Sequence, residues 1–189
     1  DKEIKKYDNI FHITLEIEAL RFQKYKRSNI VDEICKYFNV PVFDFKIKKN
    51  DNMNKNINEI SIFAVSTSMI RSLPHKILKQ IIESLQDKYR FKIYVDESDF
   101  SKYLEEKNTN NKCIFVKPKN IEDLILEIKN INFGIFLDSG PLHVAKIFDK
   151  KGVLIETSVS SKTLLSNSNK IVSVSNQYQS NFCKGPCGL

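Results

Sequence analysis

The chain has 189 residues, 41% hydrophobic and 28% charged, with a net charge of +7. That length holds one domain with a sizeable core, or one domain plus an appendage, and the composition excludes a disordered chain. The Lys/Arg excess is scattered, without the dense basic block and interleaved aromatics of a nucleic-acid groove, so it suits phosphates or an anionic membrane face. No run approaches the ~20 apolar residues that span a bilayer. The opening DKEIKK has no apolar h-region. A chain that starts at Asp1 and ends in Cys-Gly-Leu reads as a piece of something longer.

Residues 1–58 are expected to be a connector, the tail of a preceding domain. Asn9–Ile17 alternates apolar and polar residues and reads as a strand. Ser28 or Asn29 caps a helix in which Ile30, Val31, Ile34, Tyr37 and Phe38 share a face. PVFDFKI alternates with period two, and the Asn-rich stretch Lys48–Glu59 reads as an exposed linker and the domain boundary. Cys35 and Cys113 fall in apolar runs and read as buried thiols. Cys183 and Cys187 are spaced CxxxC, and two thiols alone do not close a tetrahedral zinc site, so they read as a turn with free thiols.

Residues 59–189 are expected to form one domain. Apolar strands are predicted at Ile60–Val65, Phe91–Val95, Lys112–Val116, Phe133–Leu137, Gly152–Thr157 and Lys170–Ser175. Between them lie helical stretches: LPHKILKQIIESLQDKY, opened by Pro74 with Ile77, Ile81, Ile82 and Leu85 on one face, then SDFSKYLEEKN, IEDLILEIKN, GPLHVAKIF and SSKTLLS. This alternation predicts an α/β fold, a doubly wound Rossmann-like parallel sheet covered on both faces.

Ligands of such sheets bind beyond the carboxyl ends of the strands. Those positions hold STSMIRS, DES, KPKN, DSGPLH and SVSS, rich in hydroxyls and cations and lacking cysteine. They suit a phosphorylated ligand better than a nucleophilic hydrolase. In DSGPLH, Gly140 admits close approach, Pro141 begins a helix, and the Ser139 hydroxyl with the N–H groups of Gly140 and Leu142 makes an anion site. Asp138 would accept donor hydroxyls and His143 would face the cleft. The plainer alternative is that Asp138 and Ser139 cap the helix and His143 is a surface histidine. Arg71 either reaches a phosphate or is a solvated loop residue. Glu97 either accepts from a ribose diol or complements a helix N-terminus. Ser66, Thr67 and Ser68 complete the donor-binding candidates. No strand is followed by GxGxxG or GxxxxGK[ST], which disfavours dinucleotide and P-loop sites.

The stretch FGIFLDSGPLHVAKIFDKKGVLIETS resembles the D-[ST]-G-P-x-H-x-A signature of the heptosyltransferase-type glycosyltransferases, glycosyltransferase family 9, at Asp138, Ser139, Gly140, Pro141, His143 and Ala145. Upstream, IFAVSTSMIRSLPHKILKQIIESLQ is similar to another stretch of that family. There Arg71 stands where the family usually has Lys, and Leu73 where it has Trp before Pro74. The ending NFCKGPCGL resembles the tail of several members. The resemblance implies a GT-B architecture of two Rossmann-like domains, with this chain the C-terminal, donor-binding one. It implies transfer of a sugar, heptose from ADP-heptose, to a lipopolysaccharide or related glycan acceptor. It also implies no metal or other cofactor, and a cytoplasmic place peripheral to the inner membrane. The catalytic base would then lie in the missing N-terminal domain. The alternative is a non-catalytic nucleotide- or phosphate-binding Rossmann module.

Overall fold

The computed structural model describes residues 30–41, 58–68, 71–95, 112–157, 159–165 and 170–175. The expected strand at Asn9–Ile17, the PVFDFKI alternation, the SDFSKYLEEKN helix, Glu97, Ser158, Cys183 and Cys187 lie outside the described residues.

Among the described residues, one helix precedes the sheet region, α1 (Ile30–Tyr37). Then β1 (Glu59–Phe63), α2 (His75–Leu85), β2 (Arg90–Tyr94), β3 (Cys113–Val116), α3 (Ile121–Asn130), β4 (Phe133–Phe136), α4 (Gly140–Ile147), β5 (Lys151–Ile155), α5 (Ser161–Leu164) and β6 (Ile171–Val174) follow in chain order. The six strands form one sheet in the order β3-β2-β1-β4-β5-β6, and every pairing is parallel. This is the doubly wound sheet expected from the alternation. Glu59, read as the last residue of the linker, already pairs with Arg90 in the sheet, and the rest of that stretch up to residue 57 lies outside the described residues.

The sheet order explains the two layers. The chain builds outward from β1 to β3, then returns across the sheet to β4 and builds the other way. With crossovers of one hand, that reversal sends helices to opposite faces. Accordingly Ile60, Ile62, Phe91, Ile93 and Ile135 pack with Leu78 and Ile82 of α2. Phe63, Tyr94, Phe136 and Leu154 pack with Ile128 of α3, Leu142 and Ala145 of α4 and Leu164 of α5. On α2 the buried stripe is Leu78 and Ile82, while Ile77, expected on the core face, is exposed. Pro74 is the N-cap of α2 in an extended conformation, one residue before its expected helical place. Cys35 and Cys113 are partly rather than fully buried.

Three aromatic rings form a row across neighbouring strands. Phe63 stacks on Tyr94 at 4.4 Å between centroids and on Phe136 at 5.3 Å. The Tyr94 hydroxyl donates to Glu127 Oε2 of α3 at 2.8 Å, and Lys92 Nζ donates to the same oxygen at 2.6 Å. Burial and the neighbouring carboxylate push the Tyr94 phenol far above its ordinary range, so it stays a donor. The Lys92 hydrogen bond holds Glu127 below the usual carboxylate range. This strut ties α3 to β2.

The Phe136 ring lies over two glycines paired across β4 and β5, Gly134 and Gly152. A Cβ at Gly152 would meet the Gly134 carbonyl oxygen at 2.2 Å and the Phe136 ring at 2.7 Å. Lys150 is another buried device. It is 2% exposed, and its ammonium donates to the carbonyl of Ile131 at 3.0 Å and to that of Lys129, serving the open end of α3.

Gly152→Ala is therefore expected to destabilise the fold by about 1–3 kcal/mol, the cost of overpacking. Gly140→Ala, where a Cβ meets nothing within 4 Å, should stay within about 0.5 kcal/mol of wild type. Urea unfolding midpoints of the two variants check the contrast.

Candidate functional site

β1 and β4 are neighbours, but the chain leaving each turns to a different face of the sheet. A crevice opens where they part, as it does at the switch point of any such sheet. Here it is a cleft of about 770 Å³. Phe63 and Tyr94, two rings of the aromatic row, reach its floor. The β1 exit contributes Val65, Ser66, Thr67 and Arg71, and the β2 exit Val95. Lys117–Asn120 and the first turn of α3 form one wall, and Ser139, Gly140 and Pro141 at the start of α4 form the opposite one.

The loop after β1 is tied down by its own serines. The Ser72 hydroxyl accepts from the Ser66 N–H at 3.0 Å and reaches the Ser66 and Ser68 carbonyls at 3.2 and 3.1 Å. The Leu73 N–H closes the loop on the Ala64 carbonyl at 2.8 Å, and the Arg71 N–H bonds the Ser68 carbonyl at 3.0 Å. The Ser66 hydroxyl donates to the Asp138 carbonyl at 3.4 Å, which links the loops after β1 and β4. Arg71 is held from both sides. Its Nη2 donates to Thr67 Oγ1 at 3.2 Å, and its Nη1 lies 3.6 Å from Asp138 Oδ2.

Two helix N-termini face the cleft, and they differ. At α3, Asn120 accepts from the Asp123 N–H at 2.8 Å, and Asp123 accepts from the Lys119 N–H at 3.1 Å. Glu122 and Asp123 also fill its first turn with negative charge. That end is already capped by its own side chains, and Lys117 and Lys119 line the wall beside it. At α4 the Ser139 side chain makes no cap hydrogen bond to the helix, and no acid lies in the first turn. Its hydroxyl instead approaches the Leu137 carbonyl at 3.5 Å. The positive end of this dipole is left for an anion. Ser139 thus holds the N-cap position of α4 without a side-chain cap bond.

The predicted donor-binding residues divide. Ser66, Thr67, Arg71, Ser139, Gly140 and Pro141 come together on the cleft. Pro141 is the second helical residue, since α4 begins at Gly140. Asp138 is 8% exposed and lies behind Arg71 instead of on the cleft wall. Ser68 serves the loop through its carbonyl. Leu142 does not offer its N–H to a ligand as expected: that N–H bonds the Ser139 carbonyl at 3.1 Å, and its side chain is in the core. His143, expected to face the cleft, is exposed one turn into α4 and is absent from the cleft lining. Partial desolvation and the Lys146 ammonium push His143 below the ordinary histidine range, with Asp138 opposing them. Sequence reasoning passed over Tyr94, Val95 and Leu124, which read as ordinary core residues. The only available signal was their place at a strand's carboxyl end or a helix's first turns.

No family model matches the sequence, and no curated protein matches it. The fold does match solved structures. E. coli heptosyltransferase WaaC, solved with ADP, superposes with a TM-score of 0.62 at 10% identity, over 79% of this chain and 51% of that one. A glycosyltransferase family 9 protein from Veillonella parvula DSM 2008 gives 0.62 at 13% identity, over 82% and 52%. E. coli ADP-heptose LPS heptosyltransferase II gives 0.54 at 16% identity, over 76% and 42%. The chain thus spans about half the length of these enzymes or less. Among the described residues no helix is long and apolar enough to cross a membrane.

Two measurements check this geometry. Ser139→Ala should leave stability within about 0.5 kcal/mol of wild type, whereas Asn120→Ala, which removes a real cap, should cost about 1 kcal/mol. By NMR, the His143 ring should titrate below an ordinary histidine. Lys146→Ala should raise its midpoint, and Asp138→Asn should lower it. Over the part of those enzymes that it spans, this chain has the fold of the heptosyltransferase-type glycosyltransferases of family 9.

Proposed function

We propose that this chain is the donor-binding half of a glycosyltransferase that takes a sugar from a nucleoside diphosphate, ADP-heptose being the leading candidate. The observation that carries this reading is the open N-terminus of α4 beside Arg71, inside the cleft at the sheet's switch point. The diphosphate sits there, against the Gly140 N–H, the Ser139 hydroxyl and the Arg71 guanidinium. Gly140 suits this role because the space a Cβ would take is open. The nucleoside lies toward Pro118, Ile121 and Leu124, the apolar wall of the same cleft. That wall adjoins the α3 end, whose N–H groups are already capped, so the diphosphate is better served at the open end of α4.

The chemistry asked of these residues is electrostatic. When the sugar–phosphate bond breaks, negative charge grows on the leaving diphosphate. A fixed guanidinium and an aligned helix dipole stabilise that charge without reorganising. No metal is assigned to this step. The acceptor, a lipopolysaccharide or related glycan, and the base that deprotonates it belong to a second Rossmann-like half at an inner-membrane surface. The structures solved with ADP and with ADP-2-deoxy-2-fluoro heptose support the ligand class, since both are of a heptosyltransferase sharing this fold.

Calorimetry on the 189-residue chain should show ADP binding. Arg71→Ala should weaken it by about 10–100-fold, the worth of a hydrogen bond to a charged group. Gly140→Val should abolish binding while circular dichroism stays native. The chain alone should transfer no sugar. Unchanged binding in both folded variants would refute the reading. Binding by a protein whose full reading frame holds no second Rossmann-like half would instead mark a non-catalytic nucleotide module.

A further inference from the structure

We propose that Asp138 is a positioning residue whose carboxylate aims Arg71 at the phosphate end of the cleft; the proposal rests on the functional reading above. The two side chains come from different strands' exits and stand in different surroundings. The Asp138 side chain is 11% exposed, while that of Arg71 is 33% exposed and lines the cleft. A carboxylate removed from water needs a compensating cation. Among the described residues, Arg71 is the cation in ion-pair contact with it.

The geometry suits aiming. At 3.6 Å the pair is longer than a hydrogen bond, so Asp138 attracts the guanidinium without using one of its donors. Guanidinium has five N–H donors, and Thr67 takes one from the side. The remaining donors are left for oxygens in the cleft. A long side chain already held in place loses less freedom when it binds. The Ser66 hydroxyl, 3.4 Å from the Asp138 carbonyl, links the two loops that carry the pair.

Three roles for Asp138 predict different signs. ADP carries no transferred sugar. If Asp138 only accepts sugar hydroxyls, Asp138→Asn leaves ADP affinity unchanged. If it is merely a negative charge near a diphosphate, Asp138→Asn tightens ADP binding. If it positions Arg71, Asp138→Asn weakens ADP binding despite removing a repelling charge.

The test is a double-mutant cycle on the full chain, by calorimetry with ADP and with pyrophosphate. Asp138→Asn should lose about tenfold in ADP affinity beside Arg71, and less than about twofold in an Arg71→Ala background. A purely structural role would cost the same in both backgrounds. If Asp138→Asn does not fold, Thr67→Val removes the other contact from an exposed position and should cost about threefold, again only when Arg71 is present. ADP binding equal to or tighter than wild type in the folded Asp138→Asn variant, or equal losses in both backgrounds, overturns the proposal alone. If Asp138→Asn is unfolded, unchanged binding in Thr67→Val overturns it. A wild type that binds neither ADP nor pyrophosphate overturns the functional reading, and this proposal with it.

Discussion

The return of the chain from β3 to β4 is the constraint on which the rest depends. It places β4 against the far side of β1, so two adjacent parallel strands release their chains to opposite faces. Among the described residues a cleft is left between those exits, because each departing loop follows its own helix. A parallel sheet makes this gap at its carboxyl edge, where helix N-termini also arrive with their unpaired N–H groups. Cleft and anion site share one topological cause.

The floor of that cleft must not yield, and the packing beneath it explains why it does not. Phe63, Tyr94 and Phe136 stack in a row, adding about 0.5–1.5 kcal/mol per pair beyond their burial. The row exists only because Gly134 and Gly152 leave room for the Phe136 ring. At the other end, Tyr94 is fastened through Glu127 to α3, whose first turn is a cleft wall. The core of the α3–α4 face thus fixes both the floor and one side of the site.

Helix-end capping then gives the cleft a direction. The α3 end supplies its own acids and cap, while the α4 end supplies none. Arg71 stands beside the open end, steadied by Thr67 and Asp138. An anionic ligand finds open helix N–H groups and a guanidinium on one side of the cleft, and a capped helix end with Lys117, Lys119 and apolar Pro118, Ile121 and Leu124 on the other.

By itself the sequence determined the elements and the layer plan. Short, continuously apolar strands alternating with helical periodicity permit little besides a parallel sheet covered on both faces, and the strand positions shifted by only a residue or two. DSGPLH was legible as a strand-to-helix junction because Gly-Pro after an apolar run has few other uses. Tertiary structure decided what each residue of that junction faces. Leu142 and His143 are local neighbours of Gly140, yet helix geometry turns one into the core and the other toward solvent. Arg71 and Asp138 are far apart in sequence, and only the pairing of β1 with β4 brings them within 3.6 Å. Capping is equally indirect: Asn120 and Ser139 are both residue types that cap and both are extended at the N-cap position, yet the Asn120 side chain turns to the Asp123 N–H while the Ser139 hydroxyl turns back toward the Leu137 carbonyl. Local pattern is written in neighbouring residues, whereas the facing of a side chain depends on partners that the fold alone supplies.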